Sequence, residues 1–323
     1  MNLTQRPRVV CLDGATLYSA NDPRWAGFAG ICDFEVYDRT APSQVIERAA
    51  QADMLLTNKV SIGADTIAAL PQLRYIGVLA TGYNVVDTIA ARQAGITVTN
   101  IPAYSTRSVA QTAIALLLAI TNRVEYYAEQ NRHGRWSEAA DFSYRDHDWT
   151  ELDGKLFGVV GFGNTGQATA AIAASLGMRI GVFTSKDESS LPEGYAKMEL
   201  DRMFAECDVL SLHCPLTEST RSLVDERRLA MMKPSAILIN TSRGPVVDEH
   251  ALANALNSSR IYAAGLDVLS QEPPESTNPL LSARNCFITP HIAWASEEAR
   301  QRLLEIAIAN AEAFINGKPQ NVV

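Results

Sequence analysis

Short apolar runs alternate with helical stretches along this 323-residue chain, and the alternation starts afresh midway. In the first part "RVVCLDG" (8–14), "FEVYD" (34–38), "DMLLTN" (53–58), "YIGVLAT" (75–81) and "ITVTN" (96–100) read as strands, with helical "PSQVIERAAQ", "ADTIAAL" and "VDTIAARQAG" between them. The strands are apolar throughout rather than at every second residue, the pattern of strands buried on both faces of a parallel sheet. The rhythm resumes with "KLFGVVGFG" (155–163), "GMRIGVFT" (177–184), "CDVLSLHCP" (207–215), "SAILINTS" (235–242), "YAAGLDV" (262–268) and "CFITP" (286–290). The fold class is therefore α/β, with two doubly wound parallel-sheet halves. Between them, residues 107–134 predict one long helix, apolar on nearly every side in its first half, and 135–154 a long aromatic and charged loop. A last helix covers about 296–317.

Composition narrows the class. Hydrophobic residues make up 47% and charged residues 20%, the balance of a globular chain. The net charge is −8 with no run of Lys or Arg, which argues against a nucleic-acid partner. The longest apolar run, "AIALLLAI" (113–120), falls far short of the roughly 20 residues that span a bilayer, so no membrane association is expected. The opening "MNLTQRPRVVCLDGA" lacks the long apolar region of a secretory signal. Five cysteines form no C-x-x-C pair, and a reducing cytoplasm is the expected location. Neighbouring acids and His147 in "RDHDW" do not converge on one ion, so no metal is expected. The chain has neither the nucleophile-elbow nor the P-loop pattern.

"VVGFGNTGQATAAIA" sets Gly161, Gly163 and Gly166 in G-x-G-x-x-G spacing, after an apolar strand and at the start of an Ala-rich helix. Here Gly161 permits the tight turn, Gly163 lets backbone approach a pyrophosphate, and Gly166 permits close helix–strand packing. With Phe162, Asn164 and Thr165 they form a candidate dinucleotide site, the helix N-terminus facing the phosphates. NAD-binding strands end in an acid that holds the ribose 2′-OH. Here Thr184, Ser185 and Lys186 stand instead, which allows NAD or NADP and tilts toward NADP acceptance.

Three polar residues follow apolar strands directly or within a few residues: Arg243 in "INTSRGP", Glu272 in "LDVLSQEPP" and His291 in "ITPHIAW". Open parallel sheets bind ligands at that edge. Together with "GFGNTG", "HCPLTEST", "ATGYNVVD" and "SVAQTAIALLLA", these segments resemble the D-isomer-specific 2-hydroxyacid dehydrogenase family in order and spacing over nearly the whole chain. The resemblance implies a flavodoxin-like substrate domain (1–100 plus 293–323), a Rossmann dinucleotide domain (101–292), and a cleft between them. It implies that Arg243 holds the carboxylate and ketone of a small 2-keto acid, that His291 exchanges the proton, and that Glu272 pairs with the imidazolium. Backbone amides of Thr81 and Gly82 would hold the substrate carboxylate. Cys214, Pro215 and Thr220 would line the adenine end, Thr241 and Ser242 would contact cofactor, and Asp267 would face the nicotinamide carboxamide.

The same resemblance implies a homodimer built by the long helix and the aromatic loop, with Trp136, Phe142, Tyr144 or Trp149 a candidate to shape the substrate pocket. Gln111 and Asn84 depart from the family's usual acids. The wording is most similar to glycerate dehydrogenases, also called hydroxypyruvate reductases, which makes hydroxypyruvate and glyoxylate the leading substrates. Lys59 is either an extra positive contact or a surface lysine. A lactate- or phosphoglycerate-type dehydrogenase and a cofactor-sensing scaffold are the alternatives, the phosphoglycerate type disfavoured because the sequence stops at Val323 without a further regulatory domain.

Overall fold

The computed structural model describes residues 6–323. Met1–Gln5, part of the expected substrate domain, lie outside the described residues. The chain divides into two compact units, one of residues up to Ser105 together with Ala295–Val323, the other Thr106–Trp294. The junctions fall a few residues after the expected 100 and 292.

The first unit holds strands β1 (Arg8–Cys11), β2 (Asp33–Val36), β3 (Met54–Thr57), β4 (Tyr75–Val78) and β5 (Thr97–Thr99), with helices α1 (Ala26–Ala29), α2 (Val45–Ala49), α3 (Ala64–Ala68) and α4 (Thr88–Gln93). All strand pairs are parallel, in the order β2-β1-β3-β4-β5. Strands β3 and β4 are buried at every position, as a run without polar alternation requires. Beyond β1, buried Asp13 accepts hydrogen bonds from the backbone N–H groups of Asn58, Lys59 and Val60, tying that strand end to the loop after β3.

The second unit opens with α5 (Thr106–Asn122) and α6 (Val124–Arg132). The single long helix expected over 107–134 is thus two helices. Arg123 adopts a left-handed φ of 52°, its guanidinium 4.8 Å from the Phe287 ring centroid and bonded to Asn285 Oδ1 at 3.0 Å. A tertiary anchor, not a local breaker residue, interrupts the helix, which is why propensity alone missed it. On α5, Ala110, Ala113, Ile114, Leu117, Ile120 and Thr121 are buried at helical spacing.

Seven parallel strands follow: β6 (Leu156–Val160), β7 (Arg179–Phe183), β8 (Tyr195–Lys197), β9 (Val209–Leu212), β10 (Ile237–Asn240), β11 (Ala263–Leu266) and β12 (Cys286–Ile288), ordered β12-β11-β10-β9-β6-β7-β8. Their helices are α7 (Asn164–Ser175), α8 (Leu200–Glu206), α9 (Glu226–Leu229) and α10 (Glu249–Asn257). Apolar clusters cover both faces of the sheet, one around Phe157, Val159 and Ile180 with α5 and α7, the other around Met203, Phe204 and Leu210. Edge strand β8 is an addition to the expected set: "YAK" has no apolar run and is recognisable only through its pairing with β7. The last helix, α11 (Glu297–Ile315), belongs to the first unit, where Asn310 Nδ2 donates to the Asn100 carbonyl. Among the described residues no helix is long and apolar enough to cross a membrane.

Ile120 is fully buried where α5 meets β11. Ile120→Ala should cost about 2–5 kcal/mol, read as a lower urea midpoint in far-UV circular dichroism.

Candidate active site

The chain leaves β6 for β7 and β8, then reverses to β9 on the other side of β6. Ligands of open sheets bind at such a reversal, beyond the carboxyl ends of the strands. The glycine turn stands there, between β6 and α7. Gly161 has φ 94°, and a Cβ on Gly166 would lie 2.1 Å from the Gly161 carbonyl oxygen. Gly163, the N-cap of α7, has nothing within 4 Å of where a Cβ would sit. The turn therefore presents open backbone beside a helix N-terminus, while Asn164, Thr165 and Gly166 form the first turn of α7.

A cavity of about 320 Å³ opens over this turn. Gly161, Phe162 and Gly163 form its floor, and Thr184, Ser185 and Lys186 come from the end of β7. Cys214, Pro215 and Thr220 come from the segment after β9, where the Thr220 hydroxyl donates to the Pro215 carbonyl at 2.6 Å. His213, at the end of β9, lines the same cavity. Its backbone N–H donates to the Val160 carbonyl, its ring pairs with Ser211 Oγ at 2.8 Å, and burial pulls its pKa down to about 4. His213 is thus a neutral imidazole near pH 7.

Further along the same edge, the residues that follow β10, β11 and β12 gather the proposed chemistry. His291 Nδ1 lies 2.5 Å from Glu272 Oε2, and Glu272 Oε1 accepts the Leu269 N–H at 2.9 Å. The imidazole and carboxyl are each about one-third exposed. Arg243, three residues beyond β10, is exposed, one Nη bonded to the Ser242 carbonyl. Backbone of the Arg243 loop approaches that of the Glu272 loop so closely that a Cβ on Gly244 would lie 2.0 Å from the Leu269 carbonyl carbon. Only glycine permits that approach.

Residues that the sequence did not single out, or gave another task, hold these loops. Buried Asn240, the last residue of β10, donates from Nδ2 to the Arg243 carbonyl and accepts from the Ser242 N–H and hydroxyl. Asp267, expected to face the cofactor, is 1% exposed, and its carboxylate partners are groups of the loop after β12: Thr289 Oγ1 at 2.6 Å and the N–H groups of Ile292 and Ala293 at 3.0 and 2.9 Å. Its carbonyl accepts the His291 N–H at 2.8 Å. Burial raises the Asp267 pKa, opposed by those hydrogen bonds. Trp294 Nε1 donates to the His291 carbonyl at 2.9 Å. Together these contacts hold His291 at φ 53°, a left-handed backbone that a side chain with a Cβ adopts only under constraint.

The glycine turn and the neighbouring strand ends fit a dinucleotide on the structure's own terms. The glycine turn offers donors without obstruction, and Thr241 Oγ1, at the end of β10, is buried with no hydrogen-bond partner, a polar atom for a ligand to satisfy. Thr81, Gly82 and Lys59 belong to the first unit. Thr81 Oγ1 donates there to the Ile101 carbonyl, and the Lys59 N–H to Asp13.

Comparison with known proteins gives this geometry a family. Residues 114–293 match the model of the D-isomer specific 2-hydroxyacid dehydrogenase, NAD binding domain. The chain belongs to that family. A hydroxypyruvate reductase of Blautia hydrogenotrophica is 44% identical over 320 residues, 98% of this chain and 99% of that one. A glycerate dehydrogenase of Methylorubrum extorquens is 40% identical over 90% of this chain and 92% of its own length. Among solved structures, an acyclic imino acid reductase (Bsp5) in complex with NADPH and D-Arg superposes with a TM-score of 0.86 at 30% identity, over 98% of this chain and 99% of that one. This D-2-hydroxyacid dehydrogenase is thus an NAD(P)-dependent oxidoreductase acting between 2-keto and D-2-hydroxy acids.

His213 gives a pH prediction. The imidazole takes a proton less readily folded than unfolded, so the unfolded chain is protonated first and stability falls as pH drops from 6.5 toward about 4. Between pH 7 and pH 5 the wild type should lose about 1–2 kcal/mol more than His213→Gln, read from urea midpoints at both pH values.

Proposed function

We propose that the enzyme reduces hydroxypyruvate or glyoxylate to the D-2-hydroxy acid, with Arg243, Glu272 and His291 as its catalytic residues and NADPH accepted beside NADH. The observation that carries this reading is the His291–Glu272 pair at 2.5 Å, standing at the same sheet edge as the glycine turn. When bound, the reduced nicotinamide supplies hydride to the ketone carbon. Arg243 offers a planar fork of donors to the carboxylate and ketone oxygen, polarising the carbonyl for attack. With Nδ1 engaged by Glu272, the other ring nitrogen of His291, Nε2, delivers the proton to the forming alkoxide and takes it back in oxidation. Glu272, its other oxygen anchored on the Leu269 N–H, orients the ring and balances the imidazolium charge. Gly161–Gly166 would hold the pyrophosphate of the dinucleotide, Thr184–Lys186, Cys214, Pro215 and Thr220 would line its adenosine, and Thr241, Ser242 and Asp267 would serve its nicotinamide end. Thr81 and Gly82 supply backbone donors to the substrate carboxylate, and unit one is the substrate domain. What supports hydroxypyruvate and glyoxylate is the naming of the similar proteins together with a site that offers one cation and one imidazole to a small acid. What supports NADPH is the absence of an acid at Thr184.

Steady-state assays on hydroxypyruvate, glyoxylate and pyruvate with NADH and NADPH test the assignment, with turnover strongest on the first two. His291→Asn should lower kcat about 10²–10⁴-fold and leave dinucleotide binding intact. Dinucleotide binding without turnover of any small 2-keto acid would overturn the enzymatic reading in favour of a cofactor-sensing scaffold.

We also propose a homodimer in the cytoplasm. Trp136, Phe142 and Trp149 of the 135–154 loop are exposed at 56%, 91% and 61%, a solvent cost that a second copy would relieve. Five unpaired thiols support a reducing compartment. Light scattering should give twice the 35.1 kDa chain mass, shifting toward one chain in Trp136→Asp with Phe142→Ser.

A further inference from the structure

Thr184, Ser185 and Lys186 occupy the place where the adenosine ribose would lie, but the one cation there is followed directly in sequence by two acids, Asp187 and Glu188. A ribose 2′-phosphate carries close to two negative charges at neutral pH, so Lys186 alone is a poor match for it. The fold brings a second cation to the spot. After Lys186 a short turn at Glu188–Ser190 leads into edge strand β8, which runs parallel to β7 with Lys197 opposite Val182. Lys197 therefore reaches the carboxyl edge of the sheet beside Thr184. Its Nζ donates to the Lys186 carbonyl at 2.7 Å, while the Lys186 N–H donates to Thr184 Oγ1 at 3.2 Å. The Lys186 ammonium lies 5.7 Å from the Phe162 ring centroid, above the glycine turn. An ammonium has three donors, and the Lys186 carbonyl occupies one of those on Lys197.

We propose that Lys197 is a specificity-determining residue for the cofactor. With Lys186 it forms a two-lysine cradle for the 2′-phosphate of NADPH, and its tether to the Lys186 carbonyl holds the loop open to that phosphate. The inference rests on the reading above that NADPH is accepted. It concerns binding of the ribose alone, so Lys197 has no part in hydride or proton transfer.

The test is fluorescence titration of the purified protein with NADPH and NADH, and displacement by adenosine 2′,5′-bisphosphate and by AMP, at low and high salt. Lys197→Met should weaken NADPH and the bisphosphate about tenfold, leave NADH and AMP within about twofold, and flatten the salt dependence of NADPH binding, with Lys197→Arg restoring most of the loss. Equal weakening of all four ligands would make Lys197 a prop for the β8 edge and overturn the proposal, as would no change in any. A wild-type preference for the bisphosphate that survives in Lys197→Met removes Lys197 and leaves the NADPH reading standing. A wild type that binds AMP and the bisphosphate equally overturns both.

Discussion

Buried Asp267 is the constraint on which the rest of the site depends. Its carboxylate and carbonyl tie the end of β11 to the loop after β12 through four hydrogen bonds, and that loop carries His291 in a left-handed backbone. A carboxylate with so little solvent is costly unless hydrogen-bonded, and here the N–H groups of Ile292 and Ala293 and the Thr289 hydroxyl all turn toward it. The same contacts that satisfy the acid hold the histidine backbone. The imidazole is then aimed at Glu272 by a backbone held in place rather than by side-chain chance.

The neighbouring loops obey the same logic of shared anchors. Asn240 closes the end of β10 onto the Arg243 carbonyl, and Gly244 brings that loop against Leu269, whose N–H in turn positions Glu272. Three strand ends are thereby linked, so the three residues stand on one sheet edge. The dinucleotide end is organised differently. There the topology itself makes the crevice, because the sheet reverses direction at β6 and leaves the glycine turn uncovered.

Much of this was legible in the residues. Among the described residues, apolar runs marked eleven of the twelve strands, most clearly those buried on both faces, which need apolar side chains at every position. The glycine spacing marked the turn, and the motif order marked the family. Less legible were features whose cause lies far away in sequence. The interruption at Arg123 depends on Asn285 and Phe287, and β8 exists because β7 pairs with it. Nor does anything local announce that the loop after β12 converges on the Asp267 carboxylate.

The sequence by itself determined the doubly wound class, the place of the glycine turn and the choice of Arg243, Glu272 and His291 as candidates, because periodicity and short motifs are local properties of a chain. The tertiary structure alone decided which groups meet: the 2.5 Å pair of His291 and Glu272, the hold of Asp267 and Asn240 on their loops, and the arrival of Lys197 beside Lys186. Those meetings join strand ends that are distant in sequence and adjacent only once the sheet has formed, and no local pattern encodes an adjacency that pairing creates.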